Sequence, residues 1–247
     1  MHAAFGKPVL TQPDFEPERW IERLFEVLIN GDRRGAQAVI EDALEIGLSP
    51  ADLVAELFWP AYENLDKLYR KDQLTKLCYH LGTRLLRVLV DQNAARLEAT
   101  GDAHRKVFAV CGPTDADELG AQMAVDLLES NGFAMTYAGG SIPNDEVLAQ
   151  LHEDQPDVLL MFASAPSDLP SIRQLIDTIR EIGACDKIQI VVGGGVFNRA
   201  EGLAEEIGAD LWASDPLELV DVMVHEPERR AEVNQRTVGR KRVRKAA

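Results

Sequence analysis

The stretch V-F-A-V-C-G-P-T-D-A-D-E-L-G, residues 107–120, decides the fold of the second half of this 247-residue chain. An apolar run of strand length is followed by a turn and then, near Asp115, by the start of a helix. The same alternation recurs toward the C-terminus and is typical of parallel strands buried on both faces by helices. The expected strands are V-F-A-V-C (107–111), A-M-T-Y-A (134–138), V-L-L-M-F-A (158–163), I-Q-I-V-V (188–192) and L-W-A (211–213).

This pattern predicts an α/β domain with a flavodoxin-like, doubly wound parallel sheet. Right-handed crossovers place the turn after each strand at one edge of the sheet, and open sheets of this class bind ligands there. The turns expected at that edge are residues 112–117, 139–143, 164–168 and 193–198, and Ser214 with Asp215.

The first of these turns carries three carboxylates, those of Asp115, Asp117 and Glu118. The positive end of a helix dipole stabilises acids in such a place. A purely structural interpretation makes Thr114 or Asp115 the helix cap and leaves the other acids solvated in the first turn. Taken alone, the cluster favours this interpretation over a functional one.

Two further turns have ligand-binding features that are weak in isolation. The segment V-V-G-G-G-V-F-N places Gly193, Gly194 and Gly195 in a row, which permits close approach of a ligand to the backbone or simply a tight turn. Ser164 offers a hydroxyl for a ligand or for a helix cap. The sequence contains no dinucleotide fingerprint, Walker loop, nucleophile elbow or H-E-x-x-H zinc motif.

Residues 15–98 are predicted to form a four-helix bundle. The segment S-P-A-D at 49–52 is a helix start with a capping box, and the third helix is expected to kink near Pro60. The fourth helix is expected over about residues 72–97. The predicted inward positions are Trp20, Leu24 and Leu28 in the first helix, Ala36, Val39, Ile40, Ala43 and Leu44 in the second, and Leu74, Leu77, Cys78, Leu81, Leu85 and Val88 in the fourth.

The composition, 46% apolar and 27% charged residues, is that of a globular protein with room for two modest domains. No stretch approaches the ~18 uninterrupted apolar residues of a membrane helix, and the N-terminus lacks the apolar core of a secretory signal. A cytoplasmic location is therefore expected. Three widely spaced cysteines without C-x-x-C spacing argue against disulfides and structural zinc.

The formal charge of −15 is unevenly distributed along the chain. Residues 228–247 hold eight Lys or Arg and two Glu, a charge of +6, which leaves −21 on the rest. So acidic a body repels nucleic acid and anionic membranes, and we expect no direct DNA binding apart from the tail, which is predicted to be solvated and disordered. The predicted organisation is an N-terminal arm (1–14), a helical cap (15–98), a sheet domain (105–226) and a basic tail (227–247).

The turns of the predicted sheet domain follow one another in a familiar order: the acidic turn after the first strand, Ser164 after the third and the three glycines after the fourth. This order resembles the Rossmann-like slot domain of the cobalamin-binding family over roughly residues 105–223. That family carries D-x-H-x-x-G where this chain has D-A-D-E-L-G, so Asp117 stands at the histidine that ligates cobalt from below. A carboxylate is a hard donor that suits cobalt in a corrin poorly, and the resemblance therefore implies a slot without its ordinary axial ligand. The positions implied to bind the cofactor are Asp115, Asp117, Gly120, Ser164, Gly193, Gly194 and Gly195.

The helical region resembles the caps of light-sensing cobalamin-dependent regulators, which cover the upper face of the corrin with a W-H pair followed by an E-H pair. Here Tyr69, Arg70 and Tyr79 stand at the first three of these positions, and only His80 matches. Arginine stays protonated and cannot ligate a metal. His80 is either a metal ligand or, as is more common for a helical histidine beside leucines, a packed and hydrogen-bonded residue.

The resemblance leaves three functions open. The main hypothesis is a sensor or transcriptional regulator that binds cobalamin without a protein histidine, or a heme or linear tetrapyrrole, between cap and sheet, and acts through a protein partner or self-association. One alternative is a corrinoid carrier subunit for a methyltransferase, since methyl transfer through cobalt does not strictly need a lower ligand. The other is an interaction module that binds no ligand. The absence of a catalytic motif favours a protein that is not itself an enzyme.

Overall fold

The computed structural model of the chain describes residues 16–99, 104–183, 187–200 and 202–231. The predicted N-terminal arm and most of the predicted basic tail lie outside these residues. The chain divides into two compact units, with the boundary between Asn93 and Ala94. Within the described ranges, no helix is both long enough and apolar enough to cross a membrane.

The first unit contains only helices and their connections within the residues that the structure describes, as predicted. Its helices are α1 (Pro17–Ile29), α2 (Arg33–Glu45), α3 (Pro50–Asp52), which continues through a π-helical segment (Leu53–Phe58) into α4 (Trp59–Arg70), and α5 (Lys76–Ala94). Side chains of all the long helices form its core, with Leu24, Leu28, Val39, Leu57, Phe58, Leu65 and Leu86 fully or almost fully buried.

Local sequence signals account for the helix starts and for the irregular third helix. The predicted capping box is present: the Ser49 hydroxyl accepts the Asp52 N–H at 3.1 Å, and Asp52 Oδ2 accepts the Ser49 N–H at 2.9 Å. The π-helical segment lies directly before Pro60, near the predicted kink. Pro60 has no N–H and therefore cannot donate an α-helical hydrogen bond. The Trp59 N–H, just before it, donates to the Val54 carbonyl five residues back, which is the π-helical pattern.

Helix α5 differs from its predicted extent and orientation. It begins at Lys76 rather than near Asp72, because Asp72 has a left-handed backbone (φ 56°) and Thr75 caps the helix by accepting the Cys78 N–H at 3.2 Å. Three of the residues predicted to face inward are exposed, namely Leu77 (69%), Leu81 (37%) and Val88 (38%).

The close approach of α4 and α5 explains which face of α5 is buried. A Cβ at Gly82 would lie 2.8 Å from Leu65 Cδ2, so any side chain at position 82 would require Leu65 to move. The face centred on Gly82 is therefore buried, and the leucines on the other side of the helix remain in solvent. The buried positions of α5 are Gly82, Thr83, Leu85, Leu86, Leu89, Val90 and Asn93.

The second unit is the predicted α/β domain. Its strands are β1 (Lys106–Cys111), β2 (Ala134–Gly140), β3 (Val158–Phe162), β4 (Gln189–Gly193) and β5 (Leu211–Ala213), and all of them pair in parallel in the order β2-β1-β3-β4-β5. The intervening helices are α6 (Asp115–Ser130), α7 (Asn144–Asp154), a 3₁₀ turn (Pro166–Asp168) leading into α8 (Leu169–Ile182), α9 (Gly195–Asn198), α10 (Leu203–Ile207) and α11 (Pro216–His225).

Two hydrophobic clusters hold the helices against the sheet. One joins β1, β3 and β4 to α7 and α8 through residues such as Leu159, Ile176 and Val192, and the other joins the sheet to α6 and α11 through Leu160, Val125 and Met223. Strands β3 and β4 are buried along their whole length, as expected. The expectation of burial on both faces is wrong for β2, which lies at the sheet edge and alternates exposed with half-buried residues.

Candidate functional site

The strand order places a topological switch point between β1 and β3. The chain moves from β1 to β2 on one side and then returns to β3 on the other, so the connections leaving β1 and β3 diverge and open a crevice at their carboxyl ends. The loop after β1 remains tied to the end of β3, because the Gly112 N–H donates to the Phe162 carbonyl at 2.8 Å. Two of the predicted edge turns, residues 112–117 and 164–168, thus meet at the place where sheets of this topology bind ligands.

Thr114 and Asp117 form a complete capping box at the start of α6. The Thr114 hydroxyl accepts the Asp117 N–H at 3.1 Å and donates to Asp117 Oδ2 at 2.5 Å, and the Thr114 N–H donates to the same oxygen at 3.2 Å. Of the two predicted caps, Thr114 is therefore the one observed, and Asp115 is the first residue of the helix. The expectation of solvated acids is wrong for Asp117, which is only 2% exposed.

Asp168, in the turn after β3, faces the same point as Asp117. A Cβ built on Gly112 would lie 2.7 Å from Asp117 Oδ2 and 3.1 Å from Asp168 Oδ2, so the glycine gives both carboxylates room beside the backbone. Burial raises the pKa of the Asp168 carboxyl, and the neighbouring Asp117 carboxylate raises this pKa further. Weaker contributions that lower this pKa come first from a backbone hydrogen bond at Ala165 and then from the Ser167 hydroxyl, 3.4 Å from Asp168 Oδ1.

Both carboxylates keep an oxygen that is buried and unsatisfied. Asp117 Oδ1 and Asp168 Oδ2 have no hydrogen-bond partner among the described residues. Buried polar atoms of this kind are rare in folded proteins, since each one loses its hydration without compensation. The carboxyl end of the β1–β3 pair is therefore an acidic floor whose hydrogen-bonding capacity is only partly used.

The three consecutive glycines allow the turn after β4 to lie on the end of β3. Gly194 has φ +104°, and a Cβ there would be 2.4 Å from the Ala163 carbonyl oxygen. A Cβ on Gly193 would be 3.0 Å from the ring of Phe162, and one on Gly195 would be 2.8 Å from the Arg199 guanidinium. The positive φ and the Ala163 backbone thus require glycine at position 194, while the role of the three glycines in lining a slot stays a prediction.

Ser164 lies half-buried at the same edge, immediately after Ala163. Its carbonyl oxygen accepts a hydrogen bond from the Arg199 guanidinium, but its hydroxyl has no hydrogen-bond partner among the described residues. The hydroxyl is thus available to a ligand and is not used as a helix cap. Gly120, also predicted for the site, is buried within α6.

The predicted upper-face residues lie in the first unit, where they pair mainly with one another. The rings of Tyr69 and Tyr79 stack at 4.1 Å between centroids, and the His80 ring stands edge-on to Tyr79 at 5.9 Å. Arg70 forms an ion pair with Asp66 at 2.7 Å. The described residues contain no group of three or more His, Cys, Asp or Glu suited to a metal ion, and ligation by His80 stays a prediction.

Comparisons with known proteins agree with this geometry in both units. The sequence model of a B12 binding domain matches residues 105–221, and a second B12 binding domain model matches residues 20–92. The chain belongs to the B12-binding family. The family resemblance inferred from the loop after β1 and from the helical cap is thereby confirmed.

Several relatives of the chain align over most of its length, and others align over about half of it. Dimethylamine corrinoid protein 1 of Methanosarcina mazei is 22% identical over 82% of this chain and 94% of its own length. Dimethylamine corrinoid protein 3 of the same organism is 28% identical over 49% of this chain and 72% of its own. The structure of the monomethylamine corrinoid protein of Methanosarcina barkeri superimposes with a TM-score of 0.66 at 16% identity, covering 85% of this chain and 99% of that one, and so shows the shared fold.

The donor set at the switch point fits one part of a corrinoid better than another. Position 117, which is predicted to correspond to the histidine of the family, presents a carboxylate tied into a capping box, and a carboxylate cannot form a protein-nitrogen bond to cobalt. The Ser164 hydroxyl, which has no hydrogen-bond partner among the described residues, fits a polar group such as the nucleotide tail of a corrinoid, and binding of that tail by Ser164 and residues 193–195 stays a prediction. Sequence reasoning missed Asp168 and Gly112, although an acid in the turn after the third strand was a usable signal.

Proposed function

We propose that this protein is a corrinoid carrier subunit, which holds a corrinoid and presents it to a partner methyltransferase. The observation that carries this proposal is the extent of the similarity: a relative named as a corrinoid protein aligns over 82% of this chain and 94% of its own length, through both units. The comparisons support this alternative better than the sensor hypothesis, and they give no support to transcriptional regulation. They also favour a corrinoid over heme or a linear tetrapyrrole.

The residues at the switch point then hold the corrinoid without ligating its metal. A bound corrinoid supplies the cobalt atom that accepts and releases a methyl group. The Ser164 hydroxyl and the backbone of residues 193–195 bind the polar tail, and Asp117 stays in its capping box instead of reaching toward the metal. The protein thus holds the cofactor by the cofactor's nucleotide tail. The partner enzyme supplies the reacting methyl donor or acceptor.

Retention of hydroxocobalamin by the purified full chain tests binding. We expect its absorbance to co-elute with the protein in gel filtration at micromolar concentration. Ser164→Phe, which fills the proposed tail site, should lose this retention, whereas Ser167→Phe, at an exposed position in the same turn, should keep it. Absence of retention by the unsubstituted protein would remove the proposal.

The substitution Asp117→His tests the place of this residue under the corrin. Imidazole is a good ligand for transition metals, so we expect the variant to bind cobalamin more tightly and to shift its absorbance spectrum. Asp145→His, at an exposed first-turn position of α7, is the matched control and should leave both unchanged. Identical spectra for Asp117→His and the original protein would show that residue 117 does not face cobalt.

Carrier function requires a further measurement, because a sensor would also bind the cofactor. Protein loaded with methylcobalamin should transfer its methyl group to a thiol acceptor in the presence of a partner methyltransferase, and transfer should rise with the concentration of the loaded protein. Ser164→Phe and Ser167→Phe again provide the matched pair. Tight binding without transfer to any tested partner would exclude the carrier and leave a binding function.

A further inference from the structure

We propose that Asp117 and Asp168 form a binding site for a hard divalent cation, and we expect this cation to be Mg²⁺. The site lies at the switch point between β1 and β3, where the loops after these strands bring both carboxylates close to the Cα of Gly112, on the side where a Cβ would stand. The inference does not depend on the corrinoid, because it rests only on the geometry of these loops.

The first argument is the unsatisfied carboxylate oxygens. Asp117 is 98% buried, and its Oδ1 atom has no hydrogen-bond partner among the described residues, although its Oδ2 atom accepts two hydrogen bonds from Thr114. Asp168 Oδ2 is likewise buried and unpartnered. Two such oxygens on neighbouring acids remain costly until a positive group lies between them.

The second argument is the absence of a counter-charge in the described structure. The two carboxylates lie beside the same backbone position, since a Cβ on Gly112 would be 2.7 Å from Asp117 Oδ2 and 3.1 Å from Asp168 Oδ2. No described Lys or Arg forms an ion pair with either acid. Two neighbouring carboxylates repel each other, and a cation bound between them offsets this repulsion.

The chemistry of the available donors selects the class of cation. Carboxylate oxygens are hard ligands, which Mg²⁺ and similar ions prefer over soft metals. Mg²⁺ usually keeps several of its waters and is held by only one or two carboxylates, so a site with two acids is sufficient. The described residues offer no third His, Cys, Asp or Glu, which argues against a zinc site in the same place.

Titration of the full chain, free of corrinoid and of other divalent ions, with MgCl₂ in a calorimeter tests the site, and Mn²⁺ provides a second probe by electron paramagnetic resonance. We expect one saturable site. Asp168→Asn should weaken the affinity at least about tenfold, because it removes one of two charged ligands while leaving the capping box of Thr114 and Asp117 intact. Asp145→Asn removes the same charge from an exposed first-turn acid and should bind like the original chain.

Asp117→Asn provides a second variant on the other ligand, with its melting temperature measured in parallel to confirm that it folds. The proposal requires both ligand variants to lose affinity and the control to retain it. Lack of saturable binding by the original chain, or equal binding by Asp168→Asn, would overturn it. Since no corrinoid is present, either failure would leave the proposed carrier function untouched, and loss of corrinoid binding would leave this site untouched.

Discussion

At the scale of single residues, Asp117 shows how a side chain can satisfy a structural role and still leave chemical capacity unused. Its backbone N–H and one carboxylate oxygen complete the helix cap with Thr114, which is a sufficient reason for an acid at this position. Its second oxygen nevertheless lies buried without a partner. The capping box therefore explains the presence of Asp117 but does not account for all of its interactions.

Asp168 makes the stability of the protein depend on pH in a predictable direction. Its pKa is raised in the folded state, so the native protein disfavours the ionised form, and the stabilising contribution of the protonated form is lost as pH rises through the folded pKa. The substitution Asp168→Asn replaces the ionisable carboxyl with a neutral amide and so removes this loss of stability at higher pH. With a chelator present, we expect its free energy of unfolding to exceed that of the original protein by an amount that grows from pH 3 to pH 8.

Urea denaturation at several pH values measures this difference. Asp145→Asn, which replaces an exposed acid, should show a difference that is nearly constant over the same range. A gap between Asp168→Asn and the original protein that shrinks as pH rises would contradict the assigned direction of the pKa shift.

The residue-level predictions from sequence succeeded where a local motif decides the outcome. The motif predicted a cap at Thr114 or Asp115, and the structure has it at Thr114. The burial of Asp117 could not be predicted this way, since it depends on the chain after β3 lying over the loop after β1. Asp168 could not be predicted as a neighbour of Asp117 for the same reason, since the two residues are 51 positions apart in the sequence.

At the scale of elements, α5 shows the limit of hydrophobic periodicity. Leucines and valines occur nearly all around this helix, so several faces fit the rule for an inward stripe. The structure selects the face that contains Gly82, because its missing side chain lets Leu65 of α4 approach closely. A small residue at a helix crossing was therefore more informative here than the apolar pattern.

This orientation of α5 predicts very different costs for two leucine substitutions on one helix. Leu86 is fully buried, and Leu86→Ala should reduce the free energy of unfolding by about 2–5 kcal/mol through lost burial and a cavity. Leu77 is 69% exposed, and Leu77→Ala should change it by less than about 0.5 kcal/mol. Denaturant titration of the two variants provides the test, and equal costs would contradict the observed difference in burial between Leu86 and Leu77.

At the scale of the whole molecule, the order of elements was the most predictable feature. Five apolar runs and their intervening helices gave the parallel sheet, because buried parallel strands have a strong and repeated sequence pattern. The helical unit before it was predicted from capping signals and spacing. Function was harder to predict than fold. The residues at positions 69, 70, 79 and 117 differ from the ligand set of light sensors, but this difference did not by itself indicate a carrier. The similarity to corrinoid proteins through both units is what favours a carrier.

Ligand binding by the whole protein can be measured as stability, which joins the fold to the proposed function. A corrinoid that binds only the folded state should stabilise it by about 2.7 kcal/mol at a free concentration 100 times its Kd. We therefore expect hydroxocobalamin to raise the melting temperature of the original protein and of Ser167→Phe. Ser164→Phe should melt at the same temperature with and without the cofactor, because a blocked slot removes the coupling between binding and folding. If Ser164→Phe gained as much stability as Ser167→Phe, the cofactor would be held somewhere other than the edge formed by Ser164 and the glycine-rich turn.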